Sequence, residues 1–102
     1  MLITGLYAIT PDTTDTDWLA ERVAAVLAGG ARALQYRNKL ADAALRLQQA
    51  TRLKPLAERH RVPLIVNDDV ELALRIGADG VHVGADPQRE LDVIVDYQRH
   101  PV

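Results

Sequence analysis

Short apolar runs alternate with longer amphipathic segments along this chain. An apolar run beside turn residues is typical of a strand, whereas apolar residues at i, i+3, i+4 and i+7 are typical of a helix. The runs predict strands over residues 5–10 and 33–37, within 62–69 and over 80–84. The amphipathic segments predict a first helix that starts within 13–17 and ends at Gly29-Gly30, and further helices over about 40–61, 69–76 and 89–99.

The order of these segments is strand then helix, four times, which implies a parallel sheet with right-handed crossovers. Four such units are half of an eight-stranded barrel, a fold that needs roughly 200 residues or more. A small doubly wound sheet is the alternative, but the chain has neither a Gly-x-Gly-x-x-Gly turn after the first strand nor a Walker-type Gly-Lys-Ser/Thr. We therefore predict an α/β protein in which residues 1–102 form one domain, a parallel (β/α)4 half of a TIM (β/α)8 barrel.

Spacing within the helices also predicts which side chains are buried. In the first helix the apolar positions are Leu19, Val23, Val26 and Leu27, and Trp18 is most simply a core residue. The pattern places Ala44, Leu47 and Thr51 on one stripe of the second helix, and Val70, Ala73 and Leu74 on one side of the third. Pro55 is expected to kink or divide the second helix, because proline removes a backbone donor and clashes with the preceding turn.

Composition narrows the class of protein. The hydrophobic fraction is 48% and the charged fraction 25%, as in ordinary globular domains, so neither a membrane span nor disorder is expected. A net charge of −2 gives no electrostatic footprint for nucleic acid. There is no cysteine, which excludes disulfides and thiolate metal sites. The N-terminus lacks the pattern of a signal peptide, so a cytoplasmic protein is expected.

Polar and basic residues follow the second predicted strand. Side chains alternate along a strand, so Gln35 and Arg37 should share one face while Leu34 and Tyr36 face the helices. Arg37, with Lys39 two residues later, supplies a planar fork and a point charge, which together suit a phosphate or diphosphate. A solvated strand end with incidental charges is the alternative.

Three consecutive residues with side-chain oxygens stand at the end of the third strand: Asn67, Asp68 and Asp69. Any of them could cap the next helix, but one cap needs only one residue. Asp86 follows the neighbouring fourth strand, so it and Asp68 could share a hard cation, and Mg²⁺ prefers one or two carboxylates together with substrate phosphates. His82, on the fourth strand, is expected to be a hydrogen-bonded core histidine and no ligand.

Several blocks of this chain resemble thiamine-phosphate synthase: Gly5–Thr10, Gly29–Ala31, Gln35–Lys39, Val62–Ala73 and Gly77–Gly84. The resemblance implies a (β/α)8 barrel that joins hydroxymethylpyrimidine diphosphate to thiazole phosphate and releases diphosphate. Carried over by position, it implies substrate binding by Gln35, Tyr36, Arg37, Asn38, Lys39 and Asn67, with Gln35 on the pyrimidine. Arg37 and Lys39 would be the catalytic pair that stabilises the departing diphosphate, and Asp68 would bind Mg²⁺.

The chain also departs from this family. The family usually has a second aspartate that binds magnesium, and in this chain Pro87 occupies that position. Asp86, one residue earlier, is therefore the candidate for the second ligand. The chain stops about where the family's strand 5 would begin, so everything that the family places on strands 5 to 8 is absent from it, and the chain alone is expected to be inactive. A non-catalytic fragment that binds Mg-diphosphate, or a relative of the thiazole tautomerases, remains the alternative. Open edges on the first and fourth strands predict a homo-oligomer.

Overall fold

A computed structural model describes residues 6–84 and 92–96 of the chain. None of the helices in these ranges is long and apolar enough to cross a membrane. The elements, in chain order, are β1 (Tyr7–Ile9), α1 (Thr16–Ala28), β2 (Ala33–Tyr36), α2 (Ala43–Arg59), β3 (Leu64–Asn67), α3 (Val70–Ile76), β4 (Gly80–Gly84) and β5 (Asp92–Asp96).

The strands form one sheet in sequence order, and β1 to β4 are all parallel. Successive right-handed crossovers between neighbouring parallel strands place α1, α2 and α3 on the same face of the sheet. The main hydrophobic core fills the space between that face and the helices, with Leu19, Leu34, Leu53 and Leu64 almost completely buried. The predicted α/β half-barrel of parallel strands is confirmed.

Strand β3 is buried on both of its faces, as its unbroken apolar run predicts. Leu64 and Val66 belong to the core beneath the helices, and Ile65, which points to the opposite face, has no exposed surface either. The strand is also fastened at its start, because Asp79 Oδ2 accepts a hydrogen bond from the backbone N–H of Leu64 at 2.8 Å. Burial on both faces thus holds β3 in the middle of the sheet, and the site residues follow directly from its carboxyl end.

The predicted helix over residues 89–99 is wrong for the part that the structure describes. Residues 92–96 form strand β5, which pairs antiparallel with β4. Val93, Ile94 and Val95 are consecutive β-branched residues, which favour a strand when an unpaired strand edge is available. The prediction that β4 presents an open edge is wrong for the same reason. Association through a sheet edge stays a prediction for β1.

The buried face of α1 agrees with the prediction at Leu19, Val23 and Leu27, but Val26 is exposed. The prediction that Trp18 is a core residue is wrong, because 40% of its surface is accessible. Its indole ring lies under the guanidinium of Arg22, whose central carbon is 5.3 Å from the ring centroid. A cation over an aromatic ring lets the large side chain stay near the surface.

The predicted stripe of α2 is wrong at Ala44 and Thr51 and correct at Leu47, which packs against the core. Ala44 and Thr51 are exposed and Leu47 is half-buried, whereas the buried residues are Gln49, Ala50, Leu53 and Ala57. Counting apolar residues alone selected the wrong face because a glutamine occupies one of the core positions. Pro55 lies within the helix and does not divide it, and a kink at this residue stays a prediction.

The predicted face of α3 is correct only at Ala73. Leu72 is buried beside it, whereas Val70 and Leu74 are exposed. The predicted end of this helix is confirmed, since Gly77 caps it in the left-handed conformation at φ 68°.

Candidate functional site

The loop that follows β1 holds the loop that follows β2, because its side chains form hydrogen bonds with the backbone of that loop. Thr10 Oγ1 accepts from the backbone N–H of Arg37 and donates to the carbonyl of the same residue, both at 2.9 Å. Asp12 Oδ1 accepts from the backbone N–H of Lys39 at 2.9 Å. These bonds fix the backbone of the basic segment. Within the described residues, the Arg37 and Lys39 side chains make no hydrogen bond or ion pair and remain available for an anion.

The buried side-chain amide of Gln49, on α2, forms hydrogen bonds that hold the same loop. Gln49 Oε1 accepts from Tyr36 Oη at 2.7 Å and from Asn38 Nδ2 at 2.8 Å. Its Nε2 donates to the Thr13 carbonyl at 3.1 Å and to Thr16 Oγ1 at 3.3 Å. Burial raises the pKa of Tyr36 to about 12, so its phenol stays protonated and donates. One side chain thus joins strand β2, the loop after it and the start of α1.

The three oxygen-bearing residues after β3 have three different roles. Asn67 Nδ2 donates to Gln35 Oε1 at 2.9 Å. Asp69 caps α3, since its Oδ1 accepts from the backbone N–H of Leu72 at 2.9 Å. Asp68 has a left-handed backbone, with φ 57°, and an exposed carboxylate that makes no hydrogen bond or ion pair within the described residues. Its backbone N–H donates to the His82 carbonyl at 2.8 Å, which holds the backbone of this residue against β4.

A cleft of about 220 Å³ opens between the carboxyl ends of β2 and β3 and the adjoining ends of α2 and α3. Three cations and two carboxylates line it, so its charge suits an anion better than a bare cation. Strands β2 and β3 are neighbours, and the parallel pairing brings their carboxyl ends to the same rim. The lining residues are Tyr36, Arg37, Asn38, Lys39, Arg46, Val66, Asn67, Asp68, Asp69 and Leu72.

A second polar cluster lies on the sheet face opposite the helices. Gln35, which is buried, donates from Nε2 to Tyr7 Oη at 2.8 Å. Gln35 Oε1 accepts a hydrogen bond from Asn67 Nδ2 and lies 3.0 Å from His82 Nδ1. Because an amide oxygen only accepts, a hydrogen bond between these two atoms requires the tautomer of His82 with a proton on Nδ1. The prediction that His82 is hydrogen-bonded is confirmed, but the prediction that it is a core residue is wrong, because it is half-buried and lies outside the hydrophobic core. Asn67 also lines the cleft, so it connects this cluster to the rim.

The structure places some of the predicted site residues in the cleft and others on the opposite face of the sheet. Arg37, Lys39, Asn67 and Asp68 come together in the cleft, whereas Gln35 lies on the inner face. Tyr36 and Asn38 line the cleft, but their polar atoms are committed to the protein. Asp86 and Pro87 lie outside the described residues.

Sequence reasoning missed two residues of α2. Gln49 has no exposed surface and organises the loop, and Arg46 lines the cleft. A signal for Gln49 was present, because it precedes Leu53 and Ala57 at intervals of four residues and so shares their buried face.

The side chains that line this rim include two carboxylates, those of Asp68 and Asp69. Within the described residues, no group of three or more His, Cys, Asp or Glu side chains could hold a metal ion. Asp68 nevertheless offers one uncommitted carboxylate beside two uncommitted cations. One carboxylate beside cations would suit Mg²⁺ only as a complex with a phosphate, in which phosphate oxygens and water would be the other ligands.

A family model and individual relatives both match this chain. The model of the family described as thiamine monophosphate synthase matches residues 6–98. The chain is 61% identical to the thiamine-phosphate synthase of Chromobacterium violaceum over 84 residues, which are 82% of this chain and 41% of that protein. It is 60% identical to the thiamine-phosphate synthase of Thioalkalivibrio sulfidiphilus over 81 residues, which are 78% of this chain and 38% of that protein.

The fold matches a solved structure as well. Thiamine phosphate pyrophosphorylase from Pyrococcus furiosus superposes with a TM-score of 0.64 at 33% identity, covering 74% of this chain and 37% of that one. The chain thus spans about two fifths of the length of the relatives that it matches.

Proposed function

Because the chain belongs to the thiamine monophosphate synthase family, we propose that it provides the diphosphate site of a thiamine-phosphate synthase. The proposed ligand is hydroxymethylpyrimidine diphosphate, which the enzyme couples to thiazole phosphate with release of diphosphate. The observation that supports this proposal is the cleft that gathers Arg37, Lys39, Asn67 and Asp68 at one rim of the sheet.

The two cations have the properties that a leaving diphosphate requires. As the bond between pyrimidine and diphosphate breaks, negative charge builds up on the departing oxygen. Arg37 and Lys39 would stabilise that charge, and Thr10 and Asp12 already hold their backbone in place. Preorganised donors are effective because they need not reorganise during the reaction, and one such donor is worth on the order of 100- to 1,000-fold in rate.

Asp68 is the residue that would hold Mg²⁺ in this proposal, with the remaining ligands coming from phosphate oxygens and water. A bound Mg²⁺ would supply further positive charge on the diphosphate. On the inner face, the Gln35 amide would contact the pyrimidine. Its Oε1 is held by Asn67, so the orientation of the amide is fixed before the ligand arrives.

Calorimetry with hydroxymethylpyrimidine diphosphate, with and without Mg²⁺, tests the metal and the anion together. We expect the wild-type chain to bind the ligand more tightly when Mg²⁺ is present. Asp68→Asn should abolish that difference, because it removes the carboxylate while asparagine tolerates the left-handed backbone. Asp17→Asn is the matched control: it removes the same charge from the exposed Asp17 on α1, which pairs with Arg52.

Two results would count against the proposal. Absence of any binding by the wild-type chain would refute the diphosphate site. Binding that is equally strong with and without Mg²⁺ would remove the metal role of Asp68. We also expect no product from the chain alone, since the relatives are more than twice as long. A coupled assay that detected thiamine phosphate would overturn that expectation.

A further inference from the structure

Arg46 is the one cation of the cleft that no motif indicated, and its surroundings leave its hydrogen-bonding capacity largely unused. Its Nη1 donates to the Ala41 carbonyl at 3.4 Å, which is a long bond. Its Nε is shielded from solvent and has no hydrogen-bond partner among the described residues. A guanidinium has five N–H donors, and within the described residues the hydrogen bond to the Ala41 carbonyl uses one of them, while the donor on Nε is buried without a hydrogen-bond partner.

The ion pair of Arg46 does not account for its position either. Arg46 Nε lies 3.7 Å from Asp69 Oδ2, beyond hydrogen-bond distance, and the two side chains are 37% and 30% exposed. Asp69 already has a structural role, because its other oxygen caps α3. Pairs with this geometry and exposure contribute little to stability. Arg46 therefore makes only these two long contacts at the wall of a cleft whose other cations, Arg37 and Lys39, make no hydrogen bond or ion pair within the described residues.

We propose that Arg46 is a third cationic ligand of the diphosphate. It binds the diphosphate from the α2 side of the cleft, whereas Arg37 and Lys39 bind it from the β2 side. When the anion enters, the guanidinium exchanges its contact with Asp69 for phosphate oxygens. Asp69 loses nothing essential in this exchange, since its cap on α3 stays in place. This inference rests on the proposed function, and it assigns to the site a residue that lies outside both motifs of the rim.

The test uses calorimetric titration of the 102-residue chain with inorganic diphosphate in the presence of Mg²⁺. Arg46→Gln should weaken binding by about 10- to 100-fold, the loss expected for a charged hydrogen bond. Arg46→Lys should fall between this variant and the wild type, because it keeps the charge but loses the planar fork. Arg52→Gln is the matched control on the same helix: Arg52 is exposed and pairs with Asp17, away from the cleft, so its affinity should stay within about twofold.

A spectroscopic measurement separates binding from stability. The Nε–H resonance of Arg46, assigned by its absence in Arg46→Gln, should shift when diphosphate is added. Equal affinity of the wild type and Arg46→Gln, with an unmoved resonance, would overturn the role of Arg46 and leave the diphosphate site standing. No binding by the wild type would overturn the proposed function, and the role of Arg46 with it. A loss of affinity in Arg52→Gln as large as in Arg46→Gln would show that net charge alone sets the affinity.

Discussion

Replacing Gln49 with leucine should destabilise the fold by more than the loss of one hydrogen bond would. The amide makes four hydrogen bonds, to Tyr36, Asn38, Thr13 and Thr16. Asn38 and the Thr13 carbonyl still bond to each other in the variant, at 2.6 Å. The Tyr36 hydroxyl, in contrast, loses its acceptor in a buried place, which costs about 1–3 kcal/mol. With the weaker bonds to Thr13 and Thr16 included, we expect a loss of about 2–4 kcal/mol in the free energy of unfolding.

Urea unfolding followed by circular dichroism would measure this loss, and a double-mutant cycle would identify its cause. Tyr36→Phe alone should cost about 0.5–1.5 kcal/mol, because Gln49 Oε1 keeps its bond from Asn38. In the Gln49→Leu background the hydroxyl has no partner, so removing it should be neutral or stabilising. If Tyr36→Phe costs the same in both backgrounds, the hydroxyl and the amide are not coupled, and the reasoning is refuted.

Two further expectations concern the same loop. Because burial raises the pKa of Tyr36 from 10.0 to about 12, the unfolded chain loses the phenol proton first. Stability should therefore be unaffected by this group below pH 10 and fall between pH 10 and 12, by at most about 1.4 kcal/mol per pH unit; a parallel series on Tyr36→Phe that falls equally would contradict this. Thr10→Val should speed hydrogen exchange of the Arg37 amide, since that N–H bonds to the Thr10 hydroxyl, and Thr10→Ser should restore protection. Equal exchange rates in Thr10→Val and the wild type would show that the hydroxyl does not hold the loop.

The parts of the fold that the sequence predicted are those set by local pattern. The apolar run of β3 identified a doubly buried strand, and the residues at its end and at the end of β2 identified the rim of the cleft. The faces of the helices were less predictable, because burial depends on partners that a pattern does not name. Gln49 is buried since Tyr36 and Asn38 satisfy it, and Trp18 is exposed beneath Arg22.

The chemistry of the rim could be predicted only in part for the same reason. Spacing placed Asn67, Asp68 and Asp69 at one point but could not assign the cap, the exposed carboxylate and the bond to Gln35. Arg46 comes from a different element and has no motif, so nothing local indicated it. Strand β5 shows a further limit, since its β-branched residues depend on the free edge of β4.

The left-handed backbone of Asp68 restricts how this position can change over generations. Most residues resist that conformation by roughly 1–2 kcal/mol, and glycine, asparagine and aspartate are those that adopt it readily. Asparagine and glycine codons are each a single base change from those of aspartate. A lineage could thus discard the carboxylate with almost no loss of folding stability. Stability therefore gives natural selection no reason to retain aspartate here, and only the chemistry of its charge can do so.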